Sequence, residues 1–491
     1  MKNQSAAIIG AGIAGLACAI RLRVQGYSVT VFEANTYPGG KLTAFSEKGY
    51  RFDMGPSLFT MPQFIEELFT TAGKDISEYF SYKKKDRVCN YFFEDGTSFT
   101  AYADVKKFAE NAAQTFDVDS ITVDRYFKES KRKYDLTAGL FLENSLHKFK
   151  TYLSANTLKA IFNINSLHVN NTLNYYNTKM FKDPRLVQFF NRFATYNGSS
   201  PFQTSGIMSM IPHLEQYFGT YFPKGGMHSI TMSLFQLAKD IGVDFQFNTK
   251  IQKIITNDNK AVGVATEKRD VLTDIVVSNS DIVPTYRTLL KHKKAPEKIL
   301  NQPRSSSALI FYWGIKKEFS QLDLHNIFFT KDYQTEFDYI FNKNDVYNDP
   351  TVYINITSKE EKNDAPNGCE NWFTMVNVPS NTGQDWEKII VKTRENVLEK
   401  ISRLLQEDIS QLIEFEDILD PRTIESRTLS HQGALYGASS NNKYAAFLRH
   451  PNYKSSIKNL YFCGGSVHPG GGIPLCLLSG KIVSELVKTS H

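Results

Sequence analysis

Apolar and polar positions along this chain follow two periods, and the switches between them mark the elements. Ala6-Ala7-Ile8-Ile9 is continuously apolar, as in a short strand buried on both faces. Leu16, Ala19, Ile20 and Arg23 follow at helical spacing until Gly26, and residues 28–32 return to strand character, with Glu33 at their end. Together these predict a βαβ unit. Far downstream, Pro223-Lys224-Gly225-Gly226-Met227 reads as a turn opening a helix, on which Ile230, Leu234, Leu237 and Ile241 recur before Gly242 stops it. Val243, Phe245 and Phe247 alternate as a strand. Asn257-Asp258-Asn259 is a turn, and residues 271–277 read as one strand ending in Ser278-Asn279-Ser280. Residues 308–313 and 372–378 have strand character. Leu460-Tyr461-Phe462-Cys463 forms a last short strand before a helix carrying Leu475, Leu478, Ile482 and Leu486. The longest helical patterns fall between residues 105 and 219. There Phe141, Leu146, Phe149, Leu153 and Ile161 lie among Lys148, Lys150 and Lys159, a pattern shared by interfacial helices and by core helices with a solvated face.

The first βαβ unit carries specific chemistry. Its turn is Gly10-Ala11-Gly12-Ile13-Ala14-Gly15. Gly10 permits the tight turn, Gly12 lets main chain approach a pyrophosphate, and Gly15 lets helix and strand pack closely. Free N–H groups at the helix start attract phosphate charge. Glu33 can accept both hydroxyl protons of a ribose and would repel a 2′-phosphate, which disfavours NADP. These glycines also explain the apolar run behind Lys2 better than a signal peptide does.

Composition narrows the classes. Of 491 residues, 41% are hydrophobic and 22% charged, which is globular rather than disordered. A net charge of +6 over this length does not call for nucleic acid. Aromatics reach 13%, enough to line a large apolar pocket as well as a core. The five cysteines form no CxxC pair, and no two histidines lie three or four apart, so no metal site is expected. No segment has the length of about 18 apolar residues that a spanning helix requires.

The residues after Glu33 point to FAD. Pro38-Gly39-Gly40-Lys41 is followed by Phe52-Asp53-Met54-Gly55-Pro56-Ser57-Leu58. Near the end, Gly464-Gly465-Ser466-Val467-His468-Pro469-Gly470-Gly471-Gly472-Ile473-Pro474 separates the last strand from the last helix, preceded by Gly433-Ala434-Leu435-Tyr436-Gly437, Phe447-Leu448-Arg449 and Pro451-Asn452. In this order the motifs resemble the amine oxidase and phytoene desaturase superfamily, in particular the bacterial phytoene-desaturase-type carotenoid desaturases. The segment from Arg192 through Asn197-Gly198-Ser199-Ser200-Pro201 is most similar to the 1-hydroxycarotenoid 3,4-desaturase branch, although Gly198 and Pro201 would also end a helix in any context.

The resemblance implies an α/β architecture: a Rossmann-like FAD-binding domain, a mixed-sheet substrate domain and a helical membrane-facing insert. The boundaries expected are 1–75, 220–285 and 425–491 for the discontinuous FAD domain, 76–104 and 286–424 for the substrate domain, and 105–219 for the helical region. It implies FAD as cofactor, held by Gly10, Gly12, Gly15, Glu33, Lys41, Gly55, Pro56, Ser57, Leu58, Ile251, Asn279, Leu435, Gly465, Gly472 and Ile473. Ile251 is placed to meet adenine through its main chain. Lys41 is expected near pyrophosphate or flavin, and the helix start at Ile473 would stabilise charge on the reduced ring. The implied activity removes two hydrogens from a carotenoid, with the 1-hydroxycarotenoid 3,4-desaturase preferred over phytoene desaturase, a redox-neutral carotenoid isomerase and a non-enzymatic prenyl-binding escort protein. The implied partners are a carotenoid and the cytoplasmic face of a membrane, which Lys83-Lys84-Lys85 and Lys131-Arg132-Lys133 could meet, without nucleic acid or metal. Oligomeric state stays open. No catalytic base is identified: arginines 192 and 449 are poor bases, Glu143 and Asp183 are placed only by location, and His468 reads as shaping its loop.

Overall fold

Strands from three distant parts of the chain lie side by side in one parallel sheet. Its order is Leu460–Phe462, Ile275–Ser278, Ser5–Ile9, Ser28–Phe32 and Asp244–Gln246. Ala7 sits opposite Val276 on one side and Thr30 on the other. The structure is a computed structural model that describes residues 4–141, 164–442 and 448–489. Helices Ile13–Val24 and Ile473–Lys488 pack against each other over this sheet. Gly480 lets them approach: a Cβ there would lie 2.9 Å from the Ala14 carbonyl oxygen. Both helices thereby begin at the same edge of the sheet. His228–Asp240 packs beside them, burying Ile230, Leu234 and Leu237 as their spacing predicts.

The run at 271–277 is two strands rather than one. Asp270–Leu272 joins Ile251–Asn257 and Lys260–Thr266 in a small antiparallel sheet, whereas Ile275–Ser278 enters the parallel one. The break falls at Thr273-Asp274. The Asp274 carboxylate accepts from the Ser5 N–H at 2.7 Å, and the Thr273 N–H goes to the Val262 carbonyl. A polar anchor between sheets overrides the apolar run.

A second sheet has seven strands, in the order Ile413–Leu419, Ser307–Ile315, Glu370–Val378, Val352–Ile356, His325–Phe328, Arg87–Phe92 and Ser98–Tyr102. It is mixed: His325–Phe328 and Arg87–Phe92 run parallel and the other pairs antiparallel. Ser307–Ile315 is buried at every position because both faces are covered. One face packs with helix Trp386–Leu405, the other with a cluster around Tyr50, Phe52, Tyr312 and Phe373.

Helices Val105–Thr115, Ser120–Phe141, Leu173–Met180, Pro184–Asn191 and Ile211–Gln216 enclose an aromatic core, in which the Tyr126 and Phe190 rings are 4.2 Å apart. The lysine-flanked apolar stretch falls mostly on residues 142–163, outside the described residues, as does Glu143. In the two basic runs Lys83, Lys84, Lys131 and Arg132 are exposed, while other contacts hold part of each run. Lys83 and Lys85 both pair with Glu360. Lys133 turns inward, donating to Ser209 Oγ at 2.6 Å and lying 3.5 Å over the Tyr176 ring. Helical phase decides this, because Tyr126, Ser130, Lys133 and Thr137 share the buried stripe of their helix. Among the described residues no helix is long and apolar enough to cross a membrane.

Candidate active site

The glycine turns gather around one cavity of ≈ 670 Å³. Every residue expected at the cofactor lines it except Gly15, which works underneath: a Cβ at Gly15 would lie 2.2 Å from the Gly10 carbonyl oxygen. Gly10 itself has φ +98°, open to glycine and strained for other residues. The Glu33 carboxylate is fixed by two main-chain donors, Ala11 at 2.8 Å and Asn35 at 2.9 Å, and each oxygen keeps a lone pair for a ligand. The Asn279 amide donates to the Gly10 carbonyl at 3.3 Å and would lie 2.8 Å from a Cβ on Gly12, so it props the turn from behind. The Ile251 side chain packs in the core with Ile9 and Phe32, while the residue borders the cavity.

The facing wall comes from the other motifs. Gly55 packs on Lys41, where a Cβ would meet the Lys41 carbonyl oxygen at 2.0 Å. Asp53, two residues earlier, caps helix His228–Asp240 by accepting from the N–H groups of Met227 and His228 at 2.8 and 2.9 Å. The Lys41 ammonium donates to the carbonyls of Ala434 and Leu435 at 3.1 and 2.8 Å, which joins two motifs and leaves one N–H for a ligand. Burial lowers the Lys41 pKa, partly offset by Asp281, whose own carboxyl burial raises. Burial pushes the neighbouring Cys476 thiol up to about 11, so it stays protonated.

Arg449 is a clip. Its guanidinium donates to the carbonyls of Tyr436, Gly465 and Ala438 at 2.8, 3.2 and 3.0 Å, and burial lowers its pKa to about 10. The Asn452 amide similarly gathers the Phe462 and His468 carbonyls and Ser479 Oγ. His468 is buried and does not border the cavity, in line with a loop-shaping part. Asp183 caps helix Pro184–Asn191 and pairs with Arg185, so it is engaged away from the cavity.

Beyond the Gly55–Leu58 wall the lining turns apolar, with Val88, Ile310, Ile327 and Met375 from the mixed sheet. Sequence reading named Ser57, Arg192 and Tyr196 but missed Glu215, Tyr353 and His325 beside them. Glu215 accepts from Arg192 at 3.3 Å and from the Tyr196 hydroxyl, all three buried or half-buried. Burial opposes the Arg192 charge, but the hydroxyls of Tyr91 and Tyr196, with Glu215, outweigh it and hold its pKa above the usual value. The Ser57 hydroxyl lies 2.8 Å from the Tyr353 hydroxyl, which lies 2.8 Å from His325 Nδ1. Neither Glu215 nor His325 sits in a motif. Only the oddity of a carboxylate in the apolar stretch 207–218 could have drawn attention.

These residues fit FAD. Helices Ile13–Val24 and Ile473–Lys488 both start on a glycine, Gly12 and Gly472, with no side chain capping the first N–H groups. Both starts border the cavity, which leaves main-chain donors for a diphosphate and for an electron-rich ring. The family model of flavin-containing amine oxidoreductases matches residues 13–488. This chain belongs to that family, and it is an FAD-dependent oxidoreductase. It is 57% identical over 488 residues, 99% of this chain and 100% of the relative, to the 1-hydroxycarotenoid 3,4-desaturase of Flavobacterium sp. (strain P99-3). It is 32% identical to the 4,4'-diapolycopene oxygenase of Methylomonas sp, covering 99% of this chain and 98% of that one. Among solved structures, a redesigned putrescine oxidase superposes with a TM-score of 0.66 at 15% identity, covering 99% of each chain. That similarity speaks to fold alone.

Proposed function

We propose that this chain is an FAD-dependent carotenoid desaturase that acts on a 1-hydroxycarotenoid and introduces the 3,4 double bond. The observation that carries this reading is the 57% identity to a desaturase of that name across the whole length of both chains. The apolar lining beyond the cofactor wall supports it, because a polyene offers little but hydrocarbon to bind.

Bound FAD would supply the acceptor for a hydride from the allylic carbon, and the second hydrogen would leave as a proton to solvent. The chain's own residues place and shield that event. The starts of the helices at Gly12 and Gly472 hold negative charge. Glu33 would hold ribose, and Lys41 would fix the Gly55–Leu58 wall beside the cofactor. The aromatic and aliphatic lining keeps water from the cation left on the chain. The cofactor unit comprises 1–75, 220–285 and 425–491, and the substrate unit 76–104 and 286–424. Region 105–219 rests on the cytoplasmic face of a membrane, from which a polyene passes in without crossing water.

The test is pigment chromatography with mass analysis after incubation of the protein with FAD in liposomes. Loss of two hydrogens from a 1-hydroxycarotenoid, with phytoene untouched, is the expected result. Stepwise loss from phytoene would reassign the enzyme to phytoene desaturation. Unchanged mass with altered retention would make it an isomerase, and oxygen gain would align it with the oxygenase relatives.

A further inference from the structure

We propose that Ser57, Tyr353 and His325 form a one-way hydrogen-bond chain that reads a hydroxyl donor on the polyene, next to the bond being oxidised. The inference rests on the desaturase reading above and adds how that enzyme tells its substrate from other polyenes.

The direction of the chain follows from proton counting. The Asn355 amide nitrogen donates to the Leu324 carbonyl at 2.9 Å; turned over, the amide would set oxygen against oxygen. The same nitrogen lies 3.2 Å from His325 Nδ1. An amide nitrogen only donates, so Nδ1 accepts and carries no hydrogen. Tyr353 OH, 2.8 Å from that Nδ1, then donates to the same single lone pair, the shorter branch of a three-centre bond with Asn355. Its proton is used there, so its oxygen accepts from Ser57 Oγ at 2.8 Å. The Ser57 proton is used in turn. What Ser57 offers the cavity is a lone pair alone. A partner that satisfies it has to donate, as an alcohol does and as an ether or a plain hydrocarbon does not.

The far end of the chain settles whether it reads or conducts. Burial foremost, with Lys85 and Arg192 adding, pushes the His325 pKa down to about 3. Nε2 has no hydrogen-bond partner among the described residues to steady a cation. The imidazole therefore stays neutral and does not take up a substrate proton. The chain is a specificity device rather than a base.

Position agrees with chemistry. In a 1-hydroxycarotenoid undergoing 3,4-desaturation a single methylene separates the hydroxyl-bearing carbon from the oxidised bond. A group that reads the hydroxyl has to sit beside the cofactor, not at the far end of the cavity. Ser57 lies in the Gly55–Leu58 wall that packs on Lys41, and Tyr353 and His325 come from the neighbouring strands Val352–Ile356 and His325–Phe328. Arg192, Glu215 and Tyr196 bond to one another, and Arg192 Nε is left without a partner among the described residues.

The experiment uses flavin-loaded enzyme in liposomes and three polyenes alike except at carbon 1: the alcohol, its methyl ether and the hydrocarbon. The wild type is expected to favour the alcohol over both others by about tenfold or more in kcat/KM, the worth of one hydrogen bond at a dry site. Tyr353→Phe and, independently, Ser57→Ala should bring the alcohol and the hydrocarbon within about threefold, with bound flavin per chain measured by absorbance. A wild type that converts hydrocarbon as well as alcohol would overturn the inference while leaving desaturation intact. So would variants that load flavin and keep the full preference. A wild type that oxidises none of the three would overturn the desaturase reading itself.

Discussion

Arg192 and Glu215 put opposite charges into a hydrocarbon-lined wall. Bringing such a pair out of water costs several kcal/mol per ion, so each charge depends on the other. Four aromatic rings crowd the guanidinium, the nearest being Phe193 at 4.5 Å. Glu215→Ala should therefore cost about 3–5 kcal/mol in urea unfolding, and Glu215→Leu combined with Arg192→Met markedly less. A double variant as unstable as the single one would mean that shape, not charge, is what the pair supplies. None of this was legible in the sequence. Arg192 and Glu215 are 23 positions apart on different elements, and no motif links them. The glycine turns were legible because their chemistry is local: a tight turn, a close approach and a helix start need the same residues in any fold.

At the level of elements, Asp53 connects two motifs that lie far apart in sequence. It ends the Tyr50–Met54 strand, caps His228–Asp240 and pairs with Arg51 at 2.8 Å. Asp53→Ala should cost about 2 kcal/mol, the upper end for a lost helix cap, because Arg51 is left with Asp364 alone. Thermal melts give that cost directly, and Asp53→Asn, which keeps one acceptor and sets its amide NH2 against the remaining donors, should recover little of it. Elements read well from the sequence where the apolar period was long, as on His228–Asp240 and Ser307–Ile315. They read poorly where one polar side chain redirected the main chain. Asp274 divides what looked like one strand between two sheets. Lys133 leaves its basic run because helical phase, not neighbouring charge, sets where it points.

At the scale of the whole fold, six of the described histidines lean one way. Burial is the leading cause that lowers His168, His213, His228, His292, His325 and His431, with His213 at about 4 and His325 at about 3. An imidazole held below its ordinary value of 6.5 binds fewer protons folded than unfolded. Its stabilising contribution is complete above that value and is lost as pH falls toward the folded value. Each fully buried group contributes a slope of up to about 1.4 kcal/mol per pH unit in that window. Urea midpoints should be flat above neutrality and drop steeply between about pH 6 and 4. His325→Phe should shallow that drop, and an unchanged slope would assign the acid loss to other groups.

The parallel sheet has a consequence for how the protein comes into being. Its order places Leu460–Phe462 beside Ile275–Ser278, and the helix that begins at Ile473 lies against Ile13–Val24. A ribosome that has translated as far as the mixed sheet has already released both strands of the first βαβ unit. The part of the facing wall that Leu435, Gly465 and Gly472 supply is still unmade. Flavin therefore has no closed cradle to enter during most of synthesis, and loading belongs to the moments after the last helix emerges. Cells short of flavin would accumulate finished chains that wait for cofactor, not stalled fragments that already hold it.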